Sequence, residues 1–132
     1  MAEAPKLSIV LMSPELEKLH AGALMGTIAA ASGMQVNFFV TMGATKMFTK
    51  EAVEKKEFQM GEVGGTIIGK NLDLYYKMLE DGKELGEIKV YACSLVMDIM
   101  GWEMKDMLDV VDDVLGVTAF FGISEGGQIM VI

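Results

Sequence analysis

Cys93 is the only thiol in the chain, and it follows a segment with a strand pattern, Glu87 to Ala92 (EIKVYA). The next residues, Ser94 to Met100, have a helical pattern, so Cys93 is predicted to lie where a strand gives way to a helix. That position faces unpaired backbone N–H groups and the positive end of the helix dipole, which favour the reactive thiolate. Its small neighbours lead us to expect a reachable sulfur. The alternative is an inert, buried cysteine.

Other side chains follow the ends of two further predicted strands. In a parallel sheet, ligands bind beyond the carboxyl ends of the strands. Lys46 could pair with a sulfur oxyanion or with the thiolate. The alternative is that Lys46 is an exposed surface lysine without a role in the site. Methionines could line an apolar pocket around the thiol or could simply fill the core. The predicted substrate-binding residues are Ser13, Met42, Gly43, Lys46, Ser94 and Met97, with Met47 and Met100 as further pocket candidates and Trp102 as a possible cover.

Strand-like and helical segments alternate along the chain, which predicts βαβ units, a mainly parallel sheet and one domain over residues 1–132. Strands are predicted at residues 6–12, 34–41, 87–92, 110–114 (weak) and 128–132. Helices are predicted at residues 14–32, 42–50, 71–81, 94–100, 104–108 and 116–124. Residues 51–58 are read as a charged, solvated stretch and residues 60–70, with four glycines, as a loop.

Local signals predict how two of the helices begin and end. Ser13 is a suitable N-cap for the first helix, with Pro14 at its first position. Gly22 and Gly26 lower the side-chain wall of that helix, which indicates either packing on the sheet or a subunit interface. The helix is apolar on nearly all sides, so we expect it to be buried on more than one face. Gly82 is predicted to end the helix at residues 71–81.

Composition excludes several classes of function. The chain has 11 cations against 19 carboxylates and no arginine, so nucleic-acid binding is discounted. One cysteine and one histidine form a poor metal set, and we predict no metal, no organic cofactor and a reducing, cytoplasmic location. Met1 to Lys6 does not resemble a signal peptide. The uncharged run from Leu19 to Ala44 is interrupted at Ser32-Gly33, which favours a helix and a buried strand over membrane insertion.

Three segments resemble the DsrE family of sulfur-transfer proteins, and the resemblance extends over nearly the whole chain. The first is SPELEKLH followed by SGMQVNFFVT, and the second is ACSLVMDIMG at residues 92–101. The third is the GVxxF stretch at residues 116–120. The resemblance implies a three-layer α/β sandwich around a parallel sheet, a homo-oligomer, and a cysteine that holds sulfur as a persulfide or thiosulfonate.

By that resemblance, Cys93 is the sulfur-carrying nucleophile. Its partners would be small sulfur anions and donor and acceptor proteins with reactive cysteines. The chain has no second cysteine that could take the sulfur from Cys93, so a thiol of another protein must accept it. Whether such a protein is an enzyme or a stoichiometric carrier stays open. The alternatives are a small-anion or nucleotide-binding module with an inert cysteine, supported by the glycines of residues 61–69, and a structural subunit of an oligomer.

Overall fold

The computed structural model describes residues 4–132, and its strands form one five-stranded sheet. The order is β4-β3-β2-β1-β5, and every neighbouring pair is parallel. This confirms the predicted α/β class. The strands are β1 (Lys6–Leu11), β2 (Gln35–Val40), β3 (Glu87–Cys93), β4 (Asp113–Leu115) and β5 (Gln128–Val131). Residues 1–3, part of the segment judged unlike a signal peptide, lie outside the described residues.

Seven α-helices and one 3₁₀ helix connect the strands of the described chain. The helices are α1 (Leu16–Ala31), α2 (Gly43–Lys46), α3 (Lys50–Glu54), α4 (Glu62–Gly69), α5 (Tyr75–Leu85), α6 (Ser94–Met100) and α7 (Val117–Ser124), and the 3₁₀ helix is Met104–Asp106. The stretch predicted to be charged and solvated, residues 51–58, is mostly exposed, although its first residues belong to α3, in which Ala52 is buried.

Side chains alternate between the two faces of the sheet, because successive residues of a strand point in opposite directions. Ile9, Phe38 and Val90 lie on what we call the first face, together with buried residues of α1 and α5. Phe39 and Cys93 lie on the opposite, second face, where they pack against Phe120 of α7. The two helical layers and the sheet form the predicted three-layer sandwich.

The two glycines of α1 face the sheet. A Cβ on Gly22 would lie 2.5 Å from Leu11 Cδ2, and a Cβ on Gly26 would overlap the ring of Phe38. They permit close helix-on-sheet packing, and the alternative of a subunit interface through these glycines is wrong. Leu24 and Ile28, on the other side of the helix, are exposed. The expectation that α1 is buried on more than one face is therefore not met on its outer side.

The prediction of a glycine-rich loop at residues 60–70 is wrong, because residues 62–69 form the helix α4. The carboxylate of Glu17 explains the helix: its Oε2 accepts hydrogen bonds from the backbone N–H groups of Gly61 (2.7 Å) and Gly64 (3.0 Å). It thus caps the start of α4 from a distant part of the chain. A Cβ on either glycine would lie 2.9 Å from a Glu17 carboxylate oxygen. Gly61 and Gly64 are thus used to cap α4 and give no support to the small-anion or nucleotide-binding alternative.

Two predicted helix boundaries are also wrong. The first helix begins at Leu16 with Glu15 as N-cap, and Ser13 instead accepts a hydrogen bond from the Glu15 N–H through its Oγ (3.2 Å). The fifth helix runs from Tyr75 to Leu85, so Gly82 lies inside it and does not end it. Gly82 is buried against α1, which shows that its role is close packing between helices.

Candidate functional site

The carboxyl ends of β1 and β2 meet at one edge of the sheet, as the sequence predicts. A Cβ on Gly43, just after β2, would lie 2.8 Å from Cδ of Pro14, which follows β1. Beside this contact is a crevice of about 390 Å³, which we call the Met42 crevice. It is lined by Pro14, Met42, Gly43, Lys46, Met47, Glu57, Gln59, Val96, Ile99, Met100 and Trp102.

The crevice is mainly apolar with one charged pair in its wall. Met42, Met47 and Met100 contribute flexible thioether side chains, which adapt to varied apolar ligands. The Nζ of Lys46 lies 3.9 Å from a carboxylate oxygen of Glu57, and both side chains are partly exposed. An exposed pair at this distance is weak, so the ammonium group remains free to attract an anion that enters the crevice.

Met42 has an unusual backbone conformation, with φ 48° and ψ −134°. A non-glycine residue in such a region costs about 1–3 kcal/mol, and such strain is concentrated at functional sites. The surrounding backbone holds it in place: the N–H of Thr41 donates to the Leu11 carbonyl (2.9 Å), and the N–H of Thr45 donates to the Met42 carbonyl (3.1 Å). The side chain of Met42 is thereby held exposed at the crevice.

Cys93 is the last residue of β3 and directly precedes α6, which confirms its place at a strand–helix junction. Its expected accessibility is wrong, because only 1% of the residue is exposed. Small neighbours in sequence did not keep the sulfur open, since its cover comes from elsewhere in the chain. Phe39, Val96 and Phe120 bury it, and the rings of Phe39 and Phe120 stack with centroids 4.6 Å apart.

One layer of side chains separates Cys93 from the Met42 crevice. Val96 packs in the cluster that contains Cys93 and also lines the crevice. Trp102 packs against the same cluster and forms another part of the crevice wall, as its position in the sequence suggested. The thiol therefore lies behind the crevice wall, covered by Val96 and by Phe120 of α7.

The remaining predicted site residues are dispersed. Ser13 precedes the crevice residue Pro14, and its hydroxyl group is used in a local turn. Ser94 is half-buried, with its Oγ 3.6 Å from the position of a Cβ on Gly116, and so lies beside the start of α7. Met97 belongs to the core on the first face and is 3% exposed. Its assignment to the pocket is wrong, because the consecutive residues Val96 and Met97 point in different directions from α6 and pack in different clusters.

Sequence reasoning missed the residues that hold the cover over Cys93. The buried hydroxyl of Ser124, on α7, lies 2.8 Å from that of Ser8, on β1, and donates a hydrogen bond to it. The two serines are 116 residues apart, and nothing in local spacing could pair them. Gly116 precedes α7, and Gly126, with φ 86°, follows it. Helix α7 is thus a short cover between two glycines.

The floor of the crevice depends on another residue that the sequence did not identify. The hydroxyl group of Tyr75 donates a hydrogen bond to the backbone carbonyl of Met47. Burial raises the pKa of this phenol, which therefore stays protonated as the donor. Tyr75 links α5 to the short segment after α2 and so positions Met47 within the crevice.

Comparison with known protein families identifies the carboxyl-terminal half of the chain. Residues 67–132, half of the 132 residues, match the model of the DsrE/DsrF/DrsH-like family. The chain is a member of the DsrE/DsrF/DrsH-like family. The matched range contains Cys93, α6 and α7, whereas the crevice residues Met42, Gly43 and Lys46 precede it. Membership of this family suggests a function related to sulfur metabolism.

A solved structure shows the same fold over nearly the whole of this DsrE/DsrF/DrsH-like chain. It is described as the structure of a protein of unknown function, MTH1491, from Methanobacterium thermoautotrophicum. The likeness covers 97% of this chain and 99% of that chain, with a TM-score of 0.68 and 11% identity, and it supports the fold alone. No curated protein sequence matches the chain. Within residues 4–132, no helix has both the length and the apolar character needed to cross a membrane.

Proposed function

We propose that this protein is a cytoplasmic sulfur carrier in which Cys93 binds sulfane sulfur and passes it to the thiol of a partner protein. The observation that carries the proposal is that the family match spans the only thiol of the chain, at a strand–helix junction. The crevice one side chain away supports it, because it offers an entry point beside the thiol.

The chemistry requires neither a metal nor an organic cofactor. The thiolate of Cys93 attacks the outer sulfur of thiosulfate, the S–S bond breaks, sulfite leaves, and a persulfide anion forms on Cys93. With tetrathionate, attack on an inner sulfur releases thiosulfate and leaves a thiosulfonate group on Cys93. A partner thiolate then attacks the outer sulfur of the Cys93 persulfide, which transfers that sulfur and regenerates the Cys93 thiolate.

Transfer needs a transient opening, because Cys93 is buried. We infer that α7 moves away from the sheet, with loss of the Phe39–Phe120 stack and the Ser8–Ser124 hydrogen bond. The helix has only eight residues, and its outer residues Val117 and Phe121 are exposed, so relatively few contacts hold it. Segments with few buried contacts open at lower free energy than the core.

Lys46 is assigned to anion binding at the rim of the crevice, and the backbone at Met42 and Gly43 shapes the entrance. Ser13 and Ser94 flank this edge of the sheet and are secondary candidates for contact with the anion. Lys46→Gln should slow adduct formation with thiosulfate and tetrathionate more than adduct formation with a neutral thiol reagent. Lys50→Gln, on the exposed side of α3, is the matched control.

The central experiment is mass spectrometry after incubation with thiosulfate, tetrathionate or polysulfide. Wild type should gain a mass that a reducing agent removes, and Cys93→Ser should not. A parallel reaction with iodoacetamide should be slow in the folded protein and faster in Ser124→Ala, since that change weakens the cover. Wild type that is alkylated by iodoacetamide but never modified by any sulfur donor would contradict the carrier function.

The burial of Cys93 favours a second candidate, a binding module with an inert cysteine that uses the Met42 crevice for a small anion. Under this alternative, Cys93→Ser keeps full anion binding and the thiol reacts only at the rate of global unfolding. Comparison of the alkylation rate with the unfolding rate, measured under the same conditions, separates the two functions.

We also propose that the protein self-associates, as the resemblance implies. Exposed apolar side chains on the second face support this, namely Val117, Phe121, Ile129 and Val131. Contact of these residues with a second copy would cover α7, so assembly would influence access to Cys93. Sedimentation velocity should show an oligomer that Phe121→Lys dissociates. If the wild-type protein is a monomer at all concentrations, the structural-subunit alternative is excluded, and the carrier and the binding module remain as candidates.

A further inference from the structure

A second cleft, of about 500 Å³, lies among the ends of α3 and α4 and the start of α5, and it shares no lining residue with the Met42 crevice. We call it the α5 cleft. Its lining residues are Val53, Lys56, Phe58, Met60, Ile68, Asn71, Leu72, Asp73, Leu74, Tyr76 and Lys77. This volume is typical of small-molecule sites, and the lining is about equally polar and apolar, which suits a ligand with an apolar body and a polar group.

The aromatic walls of the α5 cleft are fixed from behind. Phe58 and Tyr76 each contact the ring of Tyr75 nearly edge-on, at centroid distances of 6.4 and 5.2 Å. Tyr75 is fully buried, packs against Phe48 at 5.2 Å, and is bonded to the Met47 carbonyl. Rings that are already ordered lose little conformational entropy when a ligand packs against them. The cleft is therefore preformed for an apolar molecule.

Large apolar side chains of this cleft remain open to solvent. Leu72 is 52% exposed, Met60 is 42% exposed and Ile68 is 38% exposed. Single exposed apolar residues are ordinary, but here three of them border one concave surface beside two aromatic rings. A flat apolar ligand would remove this surface from water and contact the rings, whereas a small inorganic anion would do neither.

The charged side chains of the cleft indicate the sign of the charge that the ligand carries. Two lysines, Lys56 and Lys77, line the cleft against one carboxylate, Asp73, although the whole chain has a net charge of −8. Lys77 is paired with Asp81 at 3.1 Å. No ion pair within 4 Å involves Lys56 among residues 4–132. The Lys56 ammonium group is thus available to an anionic group in the cleft.

We propose that the α5 cleft binds a flat aromatic molecule that carries one carboxylate or sulfonate group. The aromatic body packs against Phe58, Tyr76 and Leu72, and the anionic group faces Lys56. Asp73 limits the ligand to a single negative charge near the lysine. This site is separate from Cys93, and its function does not depend on sulfur transfer.

Calorimetric titration with naphthalenesulfonate tests the proposal, with neutral naphthol and cationic naphthylmethylammonium as matched probes. The sulfonate should bind with saturation and about two- to fivefold more tightly than naphthol, the range expected for one exposed charge pair, and the cation should bind most weakly. Backbone NMR signals that shift on binding should cluster at residues 53–77. Shifts that cluster around the Met42 crevice, or the absence of saturable binding, would overturn the proposal.

Paired substitutions test the sign of the charge effect. Lys56→Gln should weaken sulfonate binding about two- to fivefold and leave naphthol unchanged, whereas Asp73→Asn should strengthen sulfonate binding by a similar factor. Leu72→Gln should weaken both probes. Lys50→Gln and Cys93→Ser should change neither, and thermal unfolding confirms that each variant is folded. Weaker sulfonate binding in Asp73→Asn, or an unchanged affinity in Lys56→Gln, would assign the cleft to another class of ligand.

Discussion

The two faces of the sheet are covered very differently. On the first face, α1 and α5 pack together over strand residues such as Ile9 and Phe38, which are fully buried. On the second face, α7 covers the centre, and side chains such as Ile129 (43% exposed) and Val131 (62% exposed) remain open at β5. The first face therefore supplies most of the apolar burial that stabilises the fold.

Cys93 lies on the less covered face, and this difference indicates how a buried thiol could react. Opening of α7 would disrupt a small cluster and leave the core of the first face intact. Local opening of this kind costs less free energy than global unfolding. Four predictions test whether the two faces really differ in this way.

The largest effect is expected in the core of the first face. Leu19 on α1 is fully buried, and Leu19→Ala should lower the free energy of unfolding by about 2–5 kcal/mol because it creates a cavity. Ile28→Ala, on the exposed side of the same helix, is the control and should cost less than about 1 kcal/mol. Urea denaturation measures both. Equal losses would contradict the tight packing of α1 on the first face.

Two glycines, each inside a helix, give the next comparison. In Gly26→Ala the new methyl group meets the buried Phe38 ring, and the cost should be about 1–3 kcal/mol despite the better helix propensity of alanine. In Gly122→Ala on α7, no neighbouring atom lies within 4 Å, and stability should rise by up to about 1 kcal/mol. Thermal unfolding should thus shift in opposite directions. A shift in the same direction would contradict the packing described for α1.

The hydrogen bond beneath α7 should have a smaller, local effect. Ser124→Ala leaves the buried hydroxyl of Ser8 without its partner, which should cost about 1–2 kcal/mol and increase the alkylation rate of Cys93. The double variant Ser8→Ala/Ser124→Ala removes both polar groups and should recover part of that loss. A Cys93 alkylation rate that is the same in all three proteins would show that α7 does not control access.

The smallest effect concerns the cap of α4 beside the first face. Hydrogen bonds from the backbone N–H groups of Gly64, Glu17 itself and Gly61 lower the pKa of the Glu17 carboxyl from 4.5. The carboxylate therefore stabilises the fold fully above about pH 4.5, and this contribution is lost as the pH falls through the lowered pKa.

Glu17→Gln should remove that contribution. The variant should be less stable than wild type at neutral pH, and the difference should shrink as the pH falls below about 4.5. Urea denaturation at several pH values measures the difference. Glu15→Gln is the control, because Glu15 forms only an exposed pair with Lys18 at 3.6 Å. A stability difference that stays constant with pH would contradict the capping role of Glu17.

Local pattern was sufficient for most of the sheet. Strands β1, β2, β3 and β5 were located within one or two residues. Strand β1 has the near-continuous apolar signature of a buried parallel strand, whereas β3 alternates buried and exposed residues and β5 is largely exposed. The weakest strand, β4, starts three residues later than predicted. Its partner β3 determines its position through pairs such as Cys93 with Leu115, which no local pattern reveals.

Errors arose where a distant residue decides the local conformation. The glycines of α4 are typical of a loop by local pattern, but the carboxylate of Glu17 caps them into a helix. Gly82 is typical of a helix end by local pattern, but it lies inside a helix because α1 packs closely against it. Of the candidate site, Met42, Gly43 and Lys46 were correctly grouped at one edge of the sheet, whereas Met97 was not.

By itself, the sequence determined the order of the five strands along the chain, most of the helices between them and the location of Cys93 at the end of β3, because hydrophobic period and turn residues act over a few positions. Only the tertiary structure decided whether the thiol faces solvent. Phe120 packs with Cys93, and the Ser8–Ser124 hydrogen bond joins α7 to β1; both contacts depend on the whole sheet being formed.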